Sequence, residues 1–284
     1  MSRLSDSTRS GLIHRQRPTT EDLHEDNSAA REPPMNAAAT PLVGRIAVVT
    51  GGSSGIGAAC VRALADAGAT VVIGYNEGAE RARALREELP GADHGTLRIP
   101  LTDAAAHAAM AGALQQRFGR VDVLVNSAGF TQRIAHGDLE ALPPALFEQI
   151  LAANVGGPYA ITRALMPLLQ ASADAAVINV SSVSAFTGLG SNLAYCAAKA
   201  ALDTLTVSMA RAFAPVRFVA VSPAAVDTGF VQGRNREELQ KKAATTPLGR
   251  IVTPQDVALA VLGCVTHLRT ATGTRIVIDG GHSL

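Results

Sequence analysis

The sequence predicts a single α/β domain built on a doubly wound sheet of seven parallel strands. From Arg45 onward, short apolar runs alternate with longer segments in which apolar residues recur every three or four positions. Short apolar runs between turn residues are typical of strands buried on both faces, and the longer segments are typical of amphipathic helices. This alternation indicates a parallel sheet covered by helices on both faces, and no change of pattern marks a second domain.

The individual elements follow one another in regular order along the chain. Apolar runs predict strands at 46–50, 70–74, 95–100, 121–129 including its exit turn, 175–182, 216–223 and 274–281. Helical periodicity separates these runs, as the crossover connections between parallel strands require. The predicted helices cover 58–68, 103–119, 144–170, 194–213 and 254–267.

The composition excludes several classes of function. Hydrophobic residues make up 47% of the chain and charged residues 17%, which allows a large buried core. A net charge of +1 gives no electrostatic basis for binding nucleic acid or an anionic membrane. No apolar run reaches the ~18 residues of a membrane span. Cys60, Cys196 and Cys264 lie far apart, which is typical of reduced thiols in the cytoplasm and predicts neither disulfides nor a metal site.

The first 42 residues differ from the rest of the chain. They are polar, mix charges and show no hydrophobic periodicity, so residues 1–42 are predicted to form a disordered N-terminal tail and residues 43–284 the folded domain. An Arg- and Ser-rich beginning faintly resembles a transit peptide. Met35 offers an alternative start of the working chain, so a genuine tail and an upstream extension both stay open.

A glycine-rich turn, TGGSSGIG at 50–57, connects the first predicted strand to the first predicted helix. Glycines permit a tight turn, and the N–H groups of a helix N-terminus attract a pyrophosphate. A plain strand–helix turn is the alternative, but the flanking elements are those of a dinucleotide site in a Rossmann-type fold. The predicted cofactor contacts in this turn are Gly51, Ser53, Ser54, Gly55, Ile56 and Gly57.

The end of the second predicted strand reads Gly74-Tyr75-Asn76. NAD-binding proteins usually carry an acidic residue there, which binds the ribose 2′-OH. Because no carboxylate is present to repel a 2′-phosphate, the sequence favours NADP(H) over NAD(H), with Tyr75 and Asn76 as cofactor contacts. Arg81 lies nearby in sequence but not at the strand tip, and Tyr75 could equally be a surface aromatic.

Tyr195 and Lys199 interrupt AYCAAKAAL, a helix-favouring run of small residues. The chain has three lysines and 22 arginines, so a lysine at this position is an unusual choice. Residues i and i+4 share a helix face, so the Lys199 ammonium can lie near the Tyr195 phenol. A nearby cation lowers the pKa of a phenol from its ordinary value of ~10, which suits Tyr195 to act as a general acid and base.

These motifs, taken in order, resemble the short-chain dehydrogenase/reductase family over about residues 43–284. The glycine turn resembles the family's TGxxxGxG, NSAG at 126–129 its Asn-Asn-Ala-Gly, and Tyr195 with Lys199 its Tyr-x-x-x-Lys. Residues 247–250 and 278–281 look like signatures of its 3-oxoacyl-carrier-protein reductase branch.

Two departures from the family pattern concern the cofactor. Pro100 occupies the region where the family often has an Asp that contacts adenine, and Ala224 replaces a Gly beside the nicotinamide. We therefore expect the adenine contact to differ and the backbone beside the nicotinamide to be less free.

The resemblance implies roles for further residues. It makes Ser182 the group that binds the substrate oxygen, and Asn154 the holder of a water that links Lys199 to solvent. Without the resemblance, Ser182 is a polar strand end and Asn154 a helix interruption or cap. Further cofactor contacts implied in this way are Asn126, Ala128, Gly129, Tyr195, Lys199, Pro223, Val226 and Thr228.

The predicted function is NAD(P)-dependent hydride transfer between nicotinamide and a ketone or secondary alcohol, with a 3-oxoacyl thioester as one candidate substrate. The alternatives are an NAD-dependent alcohol, sugar or steroid dehydrogenase of the same family, and a non-catalytic cofactor-binding regulator. The resemblance also implies a cytoplasmic homotetramer or homodimer that pairs through helices 144–170 and 194–213, and a substrate lid at 229–246. Lys241 and Lys242 in that lid are either solvated charges or contacts to an acidic carrier.

Overall fold

Seven parallel strands form the centre of this computed structural model, which describes residues 40–231, 233 and 235–284. The predicted doubly wound fold and all seven predicted strands are confirmed, although most strands end earlier than predicted. The strands are β1 Ile46–Thr50, β2 Thr70–Tyr75, β3 Gly95–Arg98, β4 Val123–Asn126, β5 Ala176–Val180, β6 Arg217–Pro223 and β7 Thr274–Ile278.

Nine α-helices accompany the sheet within the described part of the chain. The predicted helix 144–170 is interrupted by a π-helical segment, Ala152–Gly156, which contains Asn154. The helices are α1 Gly55–Asp66, α2 Ala79–Glu88, α3 Ala104–Phe118, α4 Pro144–Leu151, α5 Gly157–Gln170, α6 Ser184–Thr187, α7 Leu193–Ala212, α8 Arg236–Ala243 and α9 Pro254–Thr266.

Side-chain caps fix where several of these helices begin. The Asp103 carboxylate accepts from the Ala106 N–H before α3, and Thr253 and Asp256 form a reciprocal capping box before α9. The Asn192 side chain accepts from the Tyr195 N–H before α7. Each cap pairs an N–H group that the first helical turn leaves without an intrahelical partner.

The strand order, β3-β2-β1-β4-β5-β6-β7, places the functional turns at one edge of the sheet. The chain runs outward from β1 to β3 and then returns to β4 on the other side of β1, so a crevice opens at the carboxyl ends of β1 and β4. Thr50 pairs in register with Asn126, and Asn126 with Asn179. The exits of β1, β4 and β5 therefore lie at nearly the same level.

Two apolar layers cover the faces of the sheet. Side chains from α1, α2 and α9 pack on one face, and those from α3, α5 and α7 pack on the other. Along β1, Ala47 and Val49 contact the first layer while Val48 contacts the second. The central strands are mostly apolar because neighbouring residues point to opposite faces and both faces are covered.

The turn before β1 belongs to the folded domain. Leu42 is buried in the first apolar layer, and its N–H donates to the Ala67 carbonyl at 2.8 Å. Packing therefore begins before residue 43, and the predicted disorder of residues 1–39 lies outside the described residues. In the described part of the chain, no helix has the length and apolar character needed to cross a membrane, and no cluster of His, Cys, Asp or Glu side chains could hold a metal ion.

Candidate active site

The glycine turn after β1 is held in a conformation that excludes larger residues. Gly51 and Gly55 have φ angles of 62° and 52°, in the left-handed region. A Cβ on Gly57 would lie 2.2 Å from the Gly51 carbonyl oxygen. No side chain caps the start of α1, so the N–H groups of its first turn face the crevice, as a bound pyrophosphate requires.

The Thr50 hydroxyl joins this turn to the exit of β4. It accepts from the Ser127 and Ala128 N–H groups, both at 3.1 Å, and donates to the Val125 carbonyl at 3.4 Å. A Cβ on Gly51 would lie 2.9 Å from the Ala128 Cα, so the two turns touch. The turns after β1 and β4, both predicted to contact the cofactor, thus form one continuous side of the crevice.

Tyr195 and Lys199 lie one turn apart near the start of α7, as the spacing predicts. The Lys199 ammonium nitrogen is 5.5 Å from the centroid of the Tyr195 ring and donates to the Val180 carbonyl at 2.8 Å. That bond holds the cation at the end of β5. The exit of β5 therefore fixes the ammonium beside the phenol.

Burial gives Lys199 an unusual titration. The side chain is only 5% exposed, and desolvation lowers the pKa of its ammonium to about 8, opposed by the negative charge of Asp203 one turn further along α7. Lys199 is therefore cationic below about pH 8 and loses its charge above it. Asp203 is held in an ion pair with Arg275 of β7 at 3.0 Å.

Ser182 lies just beyond β5 and lines the same crevice as Tyr195. Its hydroxyl donates to the Ser184 hydroxyl and accepts from the Ser184 N–H, both at 3.1 Å. Ser181, its neighbour, donates instead to the backbone carbonyl of Lys199 at 3.4 Å. Of the two serines, Ser182 is therefore the one that can serve a substrate without loosening α7.

Asn154 occupies the π-helical segment and is fully buried. Its amide donates to the Phe130 carbonyl at 2.6 Å and to the Ile150 carbonyl at 2.9 Å. Its Oδ1 has no hydrogen-bond donor among the described residues and would lie 2.7 Å from a Cβ on Gly129. Asn154 does not line the crevice itself, so it can act only through an intervening group.

The crevice, about 1660 Å³ in volume, brings together most of the predicted site residues. Tyr75, Asn126 and Asn154 are the exceptions. The Tyr75 side chain packs against the first apolar layer. The Asn126 amide donates to the Thr162 hydroxyl of α5 and to the Asn179 side chain of β5. The predicted residues that line the crevice are Gly51, Ser53, Ser54, Gly55, Ile56, Gly57, Ala128, Gly129, Asn76, Ser182, Tyr195, Lys199, Pro223, Val226 and Thr228.

Side chains from the segment 229–246, the predicted lid, line one part of the crevice. The Phe230 ring lies 6.1 Å from the Tyr195 ring, centroid to centroid. Arg133, beyond β4, forms an ion pair of 3.0 Å with Glu238 of α8. Lys242 lines the crevice, whereas Lys241 pairs with Glu237 at 2.9 Å. Helix α8 and the loop after β4 are therefore joined by an ion pair beside the crevice.

The opposite end of the crevice carries a basic side chain beside the glycine turn. The Arg81 guanidinium and the Ser53 hydroxyl both lie within 2.7 Å of the point that a Cβ on Gly78 would occupy. No acidic side chain among the described residues forms an ion pair with Arg81. The sequence places Arg81 only a few residues after the tip of the second strand. Its position beside the glycine turn depends on how α2 packs, which is a tertiary feature.

Asn192, which bonds to the Tyr195 N–H and to the loop after β4, is a residue that the sequence does not single out. An Asn before a periodic helical run is a signal for a helix N-cap, and that signal is present three residues before Tyr195. The hydrogen bonds that its amide makes to the loop after β4 are visible only in the folded chain.

Comparison with known proteins relates the chain to oxidoreductases over nearly its whole described length. A family model described as enoyl-(acyl carrier protein) reductase matches residues 51–283. The cis-4-hydroxycyclohexanecarboxylate dehydrogenase of Sinomonas cyclohexanicum is 36% identical over 246 residues, which cover 84% of this chain and 96% of that protein. The 3-oxoacyl-[acyl-carrier-protein] reductase of Aquifex aeolicus is 32% identical over 247 residues, which cover 84% of this chain and 98% of that protein. A dehydrogenase/reductase structure from Sinorhizobium meliloti 1021 matches with a TM-score of 0.76 at 31% identity, covering 86% and 96%.

The contact between Gly57 and Gly51 yields a first prediction. In Gly57→Ala, the added methyl group would overlap the Gly51 carbonyl, so the turn must open and the dinucleotide should bind about 100-fold more weakly, a loss of ~2.8 kcal/mol. Fluorescence titration with NADPH measures this loss, and circular dichroism checks the fold.

Gly112→Ala is the matched control, because a Cβ there meets no atom within 4 Å in the middle of α3. It should keep the affinity and gain up to ~1 kcal/mol of stability. Unchanged NADPH affinity in Gly57→Ala would show that this turn does not hold the cofactor.

Proposed function

Because the chain belongs to the short-chain dehydrogenase/reductase family, we propose that it works as an NADPH-dependent carbonyl reductase in which Tyr195 donates the proton. The family relationship makes the chain an NAD(P)-dependent oxidoreductase that acts on a ketone or secondary alcohol. It does not favour a non-catalytic regulator. The reducing direction, the NADPH preference and the individual residue roles are our proposals.

The observation that carries the mechanism is the placement of Lys199 beside Tyr195. The ammonium lies 5.5 Å from the phenol ring and is held there by the Val180 carbonyl. In a buried site this cation stabilises the phenolate that remains after Tyr195 gives its proton to the substrate oxygen. Lys199 therefore makes Tyr195 a better acid near neutral pH than an isolated phenol.

The cofactor fits the crevice on two structural counts. A Cβ on Gly51 or Gly57 would clash with the backbone of Ala128 or Gly51, so the glycines permit the tight turn, and the first turn of α1, which lines the crevice, has no side-chain cap. When bound, the nicotinamide supplies the hydride, a step for which the protein contributes position and charge. Gly51, Ser53, Ser54, Gly55, Ile56 and Gly57 would hold the phosphates.

Ser182 and Asn154 complete the proposed proton chemistry. The Ser182 hydroxyl lines the crevice with Tyr195 and would donate a hydrogen bond to the substrate oxygen as negative charge develops on it. The unpartnered Oδ1 of Asn154 would accept from a water that returns a proton to Tyr195 through Lys199. Such a water would give the buried Asn154 Oδ1 a hydrogen-bond donor, which the described residues do not provide.

The NADP(H) preference rests on charge at the adenosine end. Asn76 lines the crevice where NAD-binding proteins usually carry an acid, and Arg81 and Ser53 converge over Gly78. An arginine that pairs with no acidic side chain among the described residues and a hydroxyl group together suit a 2′-phosphate.

The substrate is proposed to be a ketone, with a 3-oxoacyl thioester as the first candidate. The similarity to a 3-oxoacyl-carrier-protein reductase supports this candidate, and the similarity to a hydroxycyclohexanecarboxylate dehydrogenase supports a cyclic ketone as the second. Both candidates present one carbonyl to Tyr195, so both belong in the same assay.

The expected homotetramer or homodimer also stays a proposal. Tyr159 of α5 and Leu193 and Val207 of α7 are exposed apolar residues on the two helices that the resemblance assigns to subunit pairing. Burying such side chains between subunits would remove apolar surface from water.

Replacement of the phenol tests the mechanism directly. In Tyr195→Phe, the proton donor is absent and kcat for ketone reduction should fall about 1000-fold. The NADPH affinity should stay within about twofold, since the ring remains. The assay follows NADPH oxidation against acetoacetyl thioesters and cyclic ketones. A variant that kept the wild-type kcat on the best substrate would refute the role of Tyr195.

The titration of Lys199 predicts the pH dependence. Its pKa, lowered by burial to about 8, means that the cation is present below about pH 8 and is lost as the pH rises through that value. Because the neutral amine no longer stabilises the phenolate, kcat for reduction should decline above about pH 8. A kcat profile measured from pH 6 to pH 10 would contradict this role if it rose throughout.

Replacement of Arg81 tests the cofactor preference. In Arg81→Ala, the affinity for NADPH should fall about 30-fold, or ~2 kcal/mol, through loss of a charge-assisted hydrogen bond, while that for NADH should stay unchanged. Arg83→Ala is the matched control, because Arg83 is exposed and paired with Glu80. Equal NADPH affinities in Arg81→Ala and wild type would remove Arg81 from the proposed site.

A further inference from the structure

We propose that Asn192 is a positioning residue that fixes Tyr195 against the loop after β4 for proton transfer, an inference that rests on the proposed function. Its side chain is completely buried. Its Oδ1 accepts from the Tyr195 N–H at 2.8 Å, and its Nδ2 donates to the Thr131 hydroxyl at 3.2 Å and to the Gln132 carbonyl at 2.8 Å. One amide thus bonds to the helix that carries the phenol and to the loop that faces it.

The same loop also holds Asn154. The Phe130 carbonyl, one residue before Thr131, accepts from the Asn154 amide at 2.6 Å. Two further bonds join the loop to the start of α7, between the Thr131 and Ser191 hydroxyls at 2.6 Å and from the Ile134 N–H to the Ser191 carbonyl at 2.8 Å. Asn192 is therefore the buried joint between the proposed proton donor and the proposed proton relay.

An ordinary helix cap does not need this arrangement. Ser, Thr and Asp cap helices about as well as Asn, because a cap requires only an acceptor oxygen. Thr253 and Asp103 serve that purpose for α9 and α3. The two N–H donors of Asn192 are additional to capping, and both point at the loop after β4.

The position of Tyr195 has two independent anchors. Lys199 is held from the β5 side by the Val180 carbonyl, and the beginning of α7 is held from the β4 side by Asn192. Loss of the second anchor would leave the helix able to shift at the residue that transfers the proton. Because proton transfer requires hydrogen-bond distance to the substrate oxygen, a shift of about 1 Å can cost up to ~100-fold in rate.

Asn192→Ser separates capping from positioning, because serine keeps the acceptor for the Tyr195 N–H and lacks the two donors. We expect kcat to fall about 30-fold, with the dissociation constant of NADPH unchanged. We also expect a larger solvent deuterium isotope effect on kcat, because proton donation becomes more rate-limiting. Steady-state kinetics in H₂O and D₂O, with NADPH titration by fluorescence, measure all three.

Thr131→Val provides a second route that leaves Asn192 and its cap intact. It removes one acceptor of the amide and also the bond to the Ser191 hydroxyl, which joins the loop to the start of α7, and should lower kcat about threefold, with a smaller rise in the isotope effect. Combined with Asn192→Ser it should cost less than the product of the two separate effects, since both changes weaken the same connection between the loop and α7. A folded Asn192→Ser with wild-type kcat, an unchanged isotope effect, or full additivity of the two variants would overturn the proposal.

Thr253→Ala is the control for capping in general. It removes the cap of α9 outside the crevice and should lower the melting temperature while kcat stays at the wild-type value. Tyr195→Phe keeps the two hypotheses apart. If it retains full activity, the proposed function fails; if it is inactive while Asn192→Ser is fully active, only the role of Asn192 fails.

Discussion

The register of β1, β4 and β5 is the constraint on which the site depends. Because Thr50, Asn126 and Asn179 pair across these parallel strands, three separate turns leave the sheet side by side. The glycine turn, the NSAG turn and the exit toward Ser182 therefore face one crevice. A sheet of parallel strands gathers loops that are distant in sequence, and the reversal of strand order gives them room for a ligand.

The Lys199 ammonium is a buried charge, so the residues around it must compensate for its loss of hydration. Burial disfavours its charge. The charge is stabilised by a hydrogen bond to the Val180 carbonyl and by the negative charge of Asp203, which is itself paired with Arg275. The cation remains available at neutral pH, and it lies 5.5 Å from the centroid of the phenol ring. Its effect on Tyr195 is thereby larger than a solvent-exposed lysine could provide.

Buried asparagines connect the segments that surround the site. Asn126 bonds to Asn179, which in turn donates to Thr206 of α7. Asn154 bonds the π-helical segment to the loop after β4, and Asn192 bonds that loop to the beginning of α7. An amide combines an acceptor with two donors on a short side chain, so one buried asparagine can join two segments of the chain.

The sequence by itself determined the strands, most helices and the Tyr195–Lys199 pair. Apolar periodicity and i, i+4 spacing are local properties of a chain segment. They predict its secondary structure whatever the rest of the fold is. The tertiary structure decided which side chains reach the crevice. Tyr75 and Asn126 follow the pleat into the core, whereas Arg81 returns over the glycine turn. The sequence offered an interruption of the helix at Asn154, which the π-helical segment confirms, but the contacts of Asn154 and Asn192 with the loop after β4 depend on packing between elements far apart in the chain.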